Sequence, residues 1–465
     1  MTDNHISRHS IVQNRAEHFP GHWTRKKGLL ASVAVLALSA LHTGSAHADY
    51  AAGGGTATAG SGVAIGVSSQ ATGSGSPVAI GTSANASVTS GAGSPIAIGI
   101  GATASGAAGI ATPAGFTAFE AIAIGNGANA TGQTSTATGS RAQATGNFST
   151  ATGSFASATG LRSSAFGVSA VASGLDSLAQ GSGASAGAQN AVALGFQSTA
   201  SALNSVYLGS RTVAGTGATA QSAIGIGTDV TASQVDAIAV GRSSVASAQY
   251  SVALGLNAKA TGAGGAMALG QGTISSGTNS VALGVQASAT LAGANALGTF
   301  SVASGGNSTA VGTSSTASGA NSFAGAWGSV ASGANSTAVG RQAAAIGTSA
   351  TAMGDAAKAW GNQSIAFGVN AQAGVQANTA LPNSIAIGTN AVSSGGFGVA
   401  LGQATQATAD FSTAVGNGAV SSGVGSVAAG SGAQATNVSA TAIGNNAAAT
   451  AANATAMGLG ATASA

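Results

Sequence analysis

The segments Asn279-Ser-Val-Ala-Leu-Gly284, Asn307-Ser-Thr-Ala-Val-Gly312, Asn335-Ser-Thr-Ala-Val-Gly340 and Asn383-Ser-Ile-Ala-Ile-Gly388 are copies of one core. Its pattern is small or polar, apolar, Ala, apolar, Gly. The closing glycines can be followed along the chain as Gly125, Gly139, Gly153, Gly167, Gly181, Gly195 and Gly209, a step of fourteen. The same residue recurs at Gly255, Gly284, Gly312, Gly340, Gly388, Gly416 and Gly444. The step lengthens between Gly66, Gly81, Gly99 and Gly125, between Gly209, Gly225 and Gly241, and between Gly368 and Gly388. Counted from Gly66, about 27 units fill the chain, and these glycines are assigned as its structural repeat positions.

The second half of each unit reads A-x-A-x-G, as in Ala258-Lys-Ala-Thr-Gly262. Both halves alternate with period two, which predicts half-buried strands. A glycine every few residues excludes helix, at a cost of about 1 kcal/mol each relative to alanine. Lys259, Lys358 and Asp229 fall at the same point, four residues after the unit glycine, and no charge occupies either apolar position of V-A-L-G. Two short strands and two tight turns, repeated without gaps, predict a parallel β-solenoid, with glycine and asparagine at the left-handed turn positions. Stacked at about 4.8 Å per coil, the array is on the order of 130 Å long. The two large residues of each core are expected inside. The alanine between them then faces the opposite side, and a row of Ala and Gly there predicts close approach of another chain. A single coil buries too little to offset its ordering entropy, so stability must come from stacking.

Composition narrows the function. The chain has no cysteine, and its six histidines, His5, His9, His18, His22, His42 and His47, precede residue 48. The commonest general base and the commonest zinc ligands are thus missing from the repeats, which argues against an enzyme and against any metal or cofactor. The formal charge of +3 comes wholly from the start of the chain: Arg8, Arg15, Arg25, Lys26 and Lys27 against Asp3 and Glu17. The remainder holds seven basic and seven acidic residues, net zero, so no basic stripe for nucleic acid exists. Calcium-binding nonapeptides need an Asp in each turn, and hexapeptide acyltransferases have a period of six, so neither fits. Adjacent T-x-T steps at Thr136–Thr138 and Thr150–Thr152 are too few for an ice-binding array. No small-molecule substrate is indicated.

Residues 1–48 read as a secretory signal peptide with a long n-region. Thr24-Arg-Lys-Lys27 precedes an apolar run from Gly28 to Leu41, and Ala46-His-Ala48 sets cleavage between Ala48 and Asp49. Residues 49–60 are a short Gly/Ala-rich lead-in and 61–465 the repeats, with insertions near 100–121 and 370–383. The first insertion carries Pro113, Phe116, Phe119 and Glu120, and the second ends near Pro382.

Asn279-Ser-Val-Ala-Leu-Gly284, Asn383-Ser-Ile-Ala-Ile-Gly388 and Asn204-Ser-Val-Tyr-Leu-Gly209, on their fourteen-residue period, resemble the YadA-like heads of trimeric autotransporter adhesins. The resemblance implies an all-β, left-handed parallel β-roll of about 14-residue coils, assembled as a side-by-side homotrimer on a Gram-negative surface. It also implies binding to host matrix proteins such as collagen, fibronectin or laminin, and candidate contact residues Asn204, Ser205, Asn279, Ser280, Asn383 and Ser384. Members continue into a coiled-coil stalk and a membrane β-barrel, which are not seen here. The sequence is therefore expected to be either the N-terminal part of a longer anchored protein or a form released from the cell. The competing reading is a structural spacer that projects a binding region lying elsewhere.

Single departures from the repeat are weighed individually. Ala326 stands where a unit glycine belongs, and with Trp327 it predicts local repacking of one coil. Phe155 and Phe196, just past unit glycines, are expected in exposed turns, and both insertions are expected to be length-variable loops.

Overall fold

The computed structural model describes residues 50–58, 61–88, 93–106, 120–376, 378 and 382–465. The signal peptide, its cleavage site at Ala48 and Asp49, and Pro113, Phe116 and Phe119 lie outside them. Every described residue belongs to one unit, Asp49–Ala465, and every strand is β, with no helix among the described residues.

Each repeat forms one coil with two strands. The core segment supplies a three-residue strand such as Val281–Leu283, and the A-x-A half supplies a two-residue strand such as Ser288–Ala289. Successive coils stack in parallel and in register: Met267, Ala268 and Leu269 face Val281, Ala282 and Leu283, which face Asn295, Ala296 and Leu297. The three-residue strands build one 28-stranded sheet, and the two-residue strands a second, as in Ser288 against Val302. The chain is a parallel β-solenoid. It begins one coil before the count from Gly66, since Tyr50–Ala52 pairs with Val63–Ile65.

The direction of the side chains corrects the sequence reading. The alanine between the two large residues is the core: Ala268, Ala282, Ala296, Ala310 and their equivalents are fully buried between the sheets. The large residues point out, with Leu283 47% and Ile387 40% exposed. Strands of two or three residues enclose a narrow interior, so both inner faces take mainly alanine, including Ala287 and Ala289, with Val230, Thr273 and Thr405 replacing it at the Ala287 position in single coils. The absence of charge from the V-x-L positions fits a sheltered outer face as well as an inner one, and that is why alternation alone gave the wrong sign.

Both turns follow from the sequence. After Leu283, Gly284 takes φ +128°, Gln286 takes φ +54°, and the Ala287 amide donates to the Gly284 carbonyl at 3.3 Å. In the other turn Asn279 takes φ +54° and the Ser280 amide donates to the Gly277 carbonyl at 3.2 Å. Positive φ at the third turn residue is the type II requirement. The unit glycines are also needed for space: a Cβ on Gly284 would lie 2.6 Å from the backbone of Gly298. Ala326 is the exception, holding φ +114° without breaking the ladder, because Phe323–Gly325 still pairs with Thr309–Val311. Within that coil the Phe323 ring lies over Gly325, where a Cβ would meet it at 2.7 Å.

Longer units leave the ladder whole, as Ile98 facing Ile124 and Ile365 facing Ile385 demonstrate. One glycine was misplaced in the sequence reading. The column runs Gly209, Gly227, Gly241, whereas Gly225 lies inside the strand Ile224–Ile226. Asp229 is therefore a turn residue, φ +54°, and does not share the position of Lys259 and Lys358.

Candidate binding surfaces: an apolar ridge and two ladders of turns

The outward residues of the three-residue strands form a long, largely apolar ridge. Its second column reads Ile65, Ile80, Ile98, Ile124 near the start, then Leu194, Leu208, Ile226, Val240, Leu254, Leu269 and Leu283. Side chains along it are about two-fifths exposed, for example Ile124 at 39% and Leu254 at 38%. Soluble single chains seldom leave so long an apolar strip uncovered. The two-residue strands carry mostly neutral polar residues on their outer face, among them Gln143, Ser157, Thr199 and Thr231, with Lys259 and Lys358 as cations. The coil is thus apolar on one broad side and polar on the other.

The narrow edges are ladders of turns in which equal positions lie one coil apart. On one edge Asn307 Nδ2 donates to Asn321 Oδ1 at 3.4 Å, and Asn321 Nδ2 donates to Asn335 Oδ1 at 3.2 Å. Asn190 and Asn204 join in the same way at 2.8 Å. Elsewhere on that edge Arg162 and Asp176 form a two-pronged ion pair, Nε to Oδ1 2.5 Å and Nη2 to Oδ2 2.7 Å. The guanidinium holds the Asp176 carboxyl below the usual range. Phe397 and Phe411 stack at 5.2 Å with nearly parallel rings, and both are about half exposed. On the other edge the Arg141 guanidinium lies 5.6 Å from the Phe155 ring centroid.

The candidate contact residues divide into two groups. Asn204 and Asn279 are exposed at left-handed turn positions, and Asn383 is half-buried at the same position. Ser205, Ser280 and Ser384 are fully buried. Their hydroxyls donate to turn carbonyls, Ser205 to Ala202 at 2.6 Å, Ser280 to Gly277 at 2.8 Å and Ser384 to Gly395 at 2.9 Å. Ser205 and Ser280 therefore close their own turns, Ser384 ties its coil to the turn of the next, and none of the three is a surface group. Their role was missed because N-S-x-A-x-G does not say which of its polar residues faces inward. Phe155 and Phe196 are half exposed in turns, as expected, and Trp327 is 49% exposed. Glu120 is exposed.

One irregular turn is built with more care than the others. Ser210–Thr216 is lengthened, and the Asp229 carboxylate of the next coil accepts from the Thr212 amide at 2.5 Å, the Thr212 hydroxyl at 2.7 Å and the Val213 amide at 2.9 Å. These donors, led by the Thr212 amide, hold the Asp229 carboxyl below its ordinary pKa. Arg211 ties the same turn to Thr199 at 2.8 Å. Val213 stands out from it, 54% exposed. Among the described residues, no group of three or more acidic, His or Cys side chains is placed to hold a metal ion.

A family model described as the YadA head domain repeat (2 copies) matches in overlapping segments that together cover residues 117–156, 158–184, 186–212, 232–324, 327–343, 345–371, 373–419 and 421–447. No curated protein matches the chain.

Proposed function

The chain belongs to the YadA head domain repeat family, and from that premise we propose that it is the adhesive head of a secreted bacterial surface adhesin that attaches cells to host matrix. The observation that carries this reading is repetition: 28 stacked coils present similar turns, rich in asparagine along one edge, at a spacing of about 4.8 Å. Weak contacts repeated along one rod and across many rods raise apparent affinity without any strong single site. Matrix proteins such as collagen, fibronectin and laminin are themselves repetitive, and they are the proposed partners. No catalytic role is part of this proposal.

The apolar ridge supports a homotrimer. It runs the length of the coils, so whatever covers it must carry an equally long apolar face at the same pitch, and a second copy of this chain matches by construction. The contact runs through Ile, Val and Leu rather than through the alanine row.

Purified chain applied to immobilised collagen, fibronectin and laminin tests the adhesive reading. Saturable, trimer-dependent binding supports it. Binding to none of them, by a chain with threefold mass in light scattering, favours a spacer, the role that the length of the stack would also serve. A single-chain mass removes the trimer.

A further inference from the structure

The apolar ridge has one defined break. In its second column, outward positions are apolar through Ile65, Ile80, Ile98 and Ile124, become Thr138, Thr152, Phe166 and Gln180, and return to apolar from Leu194 onward. Thr138 and Thr152 are ladder partners, and Thr136 and Thr150 make the first column polar in the same two coils. Among the described residues these are the only successive coils in which both outward positions are polar. The pairing itself does not require this change, since Thr136–Thr138 stacks on Ile122–Ile124 in the same register as every other coil.

Such a break matters because the rest of the ridge is nearly degenerate. Chains that meet through identical apolar coils can slide by one coil, about 4.8 Å, and still bury aliphatic side chains against aliphatic side chains. We infer that Thr138, Thr152 and Gln180 set the axial register of the assembly, a reading that rests on the homotrimer proposed above. In register, each hydroxyl or amide meets its own copies and can hydrogen-bond across the contact. After a slip of one coil, Thr138 of one chain faces Ile124 of the next and its Gln180 faces Phe166, while Thr152 and Gln180 of that next chain face Phe166 and Leu194; only one Thr138–Thr152 pair survives at each contact. Polar groups are then buried without partners, which is the costly outcome for a desolvated hydroxyl or amide. A polar layer within an apolar seam selects register in helical assemblies by the same physics.

The test moves the break. Replacing Thr138→Ile, Phe166→Thr, Gln180→Phe and Leu194→Gln shifts the pattern by one coil while keeping its composition. Wild-type and shifted chains, carrying tags of different mass, are co-expressed and the trimers weighed by native mass spectrometry. Mixed trimers depleted about tenfold or more below the binomial expectation support the proposal. The variant Thr138→Val, Thr152→Val, Gln180→Leu, which carries no break, is expected to mix more freely with both. Binomial mixing of wild-type and shifted chains overturns the register role and leaves the trimer standing. A single-chain mass for unmixed wild type overturns the trimer itself, and the two failures are thereby distinguished. If the shifted chain does not fold, the variant without a break decides alone: free of the break, its offset pairs should be captured by cysteines placed one coil apart in a chain that has none of its own, whereas wild type should give only matched pairs. Identical capture in both overturns the proposal.

Discussion

Tyr207 and Gly225 face each other across neighbouring coils, and the ring of one fills the space that the other leaves empty. Tyr207 occupies a core position that is Ala193 in the preceding strand, and it is fully buried. Its hydroxyl donates to the Ser210 carbonyl and accepts from the Val230 amide, both at 3.2 Å. A Cβ on Gly225 would sit 2.9 Å from Tyr207 Cδ2. Gly225→Ala should therefore destabilise the chain by about 1–3 kcal/mol through overpacking. The double variant Tyr207→Ala, Gly225→Ala restores the ordinary alanine ladder and should recover much of that loss. Thermal unfolding of Gly225→Ala, Tyr207→Ala and the double variant checks the coupling, and simple additivity would refute it.

The inverted faces make a second prediction. Ala282→Val puts extra methyls into a closed interior and should cost about 1–3 kcal/mol. Leu283→Thr, one residue on, should leave the stability of an isolated chain nearly unchanged and instead weaken association. Denaturant unfolding and light scattering on both variants separate the two effects.

Acid should loosen the Ser210–Thr216 turn before it unfolds the stack. The Asp229 carboxyl is depressed in the folded state by the Thr212 and Val213 donors. The unfolded chain then holds that proton more tightly. The carboxylate's contribution is complete above the unfolded value of about 3.9 and is lost as pH falls through the depressed folded value. Amide exchange at Thr212 and Val213, corrected for its intrinsic pH dependence, should accelerate over that range. Asp229→Asn should show the faster exchange at neutral pH.

The asparagine ladder yields a further test. Asn321 has φ +55° and hydrogen-bonds to both Asn307 and Asn335. Asn321→Gly keeps the backbone and removes only the two amide contacts, each worth about 0.5–1.5 kcal/mol at most and less at an exposed edge. Asn321→Ala adds left-handed strain of about 1–2 kcal/mol. The expected order of melting temperatures is wild type, then Gly, then Ala. Ala above Gly would mean that the turn does not rely on the left-handed preference of asparagine.

Much of the fold was legible from spacing alone. The glycine step gives the coil, because glycine reaches φ near +130° without strain and lets the next backbone approach as Gly284 meets Gly298, with Ala326 the exception. Period-two alternation gives the strands. It does not say which set faces in, and nothing in V-A-L-G weighs the width of an interior that forms only after two sheets are stacked. Gly225 was misread for a related reason: its glycine answers Tyr207, a partner eighteen residues earlier, and not a turn. The candidate contact residues were half legible. The Asn of each N-S pair stands at the surface or near it, while the Ser is buried and spent on a turn carbonyl, its own for Ser205 and Ser280 and the next coil's for Ser384.

Because each coil bonds only to the coil before and the coil after, whole units can be gained or lost by recombination without disturbing any bond elsewhere. Deleting residues 299–312 would bring Gly298 against Ala326 in the same register and shorten the stack by one step of about 4.8 Å. The reach of the molecule is therefore a number that a genome can count up or down in fourteens, with the local chemistry of every remaining turn unchanged.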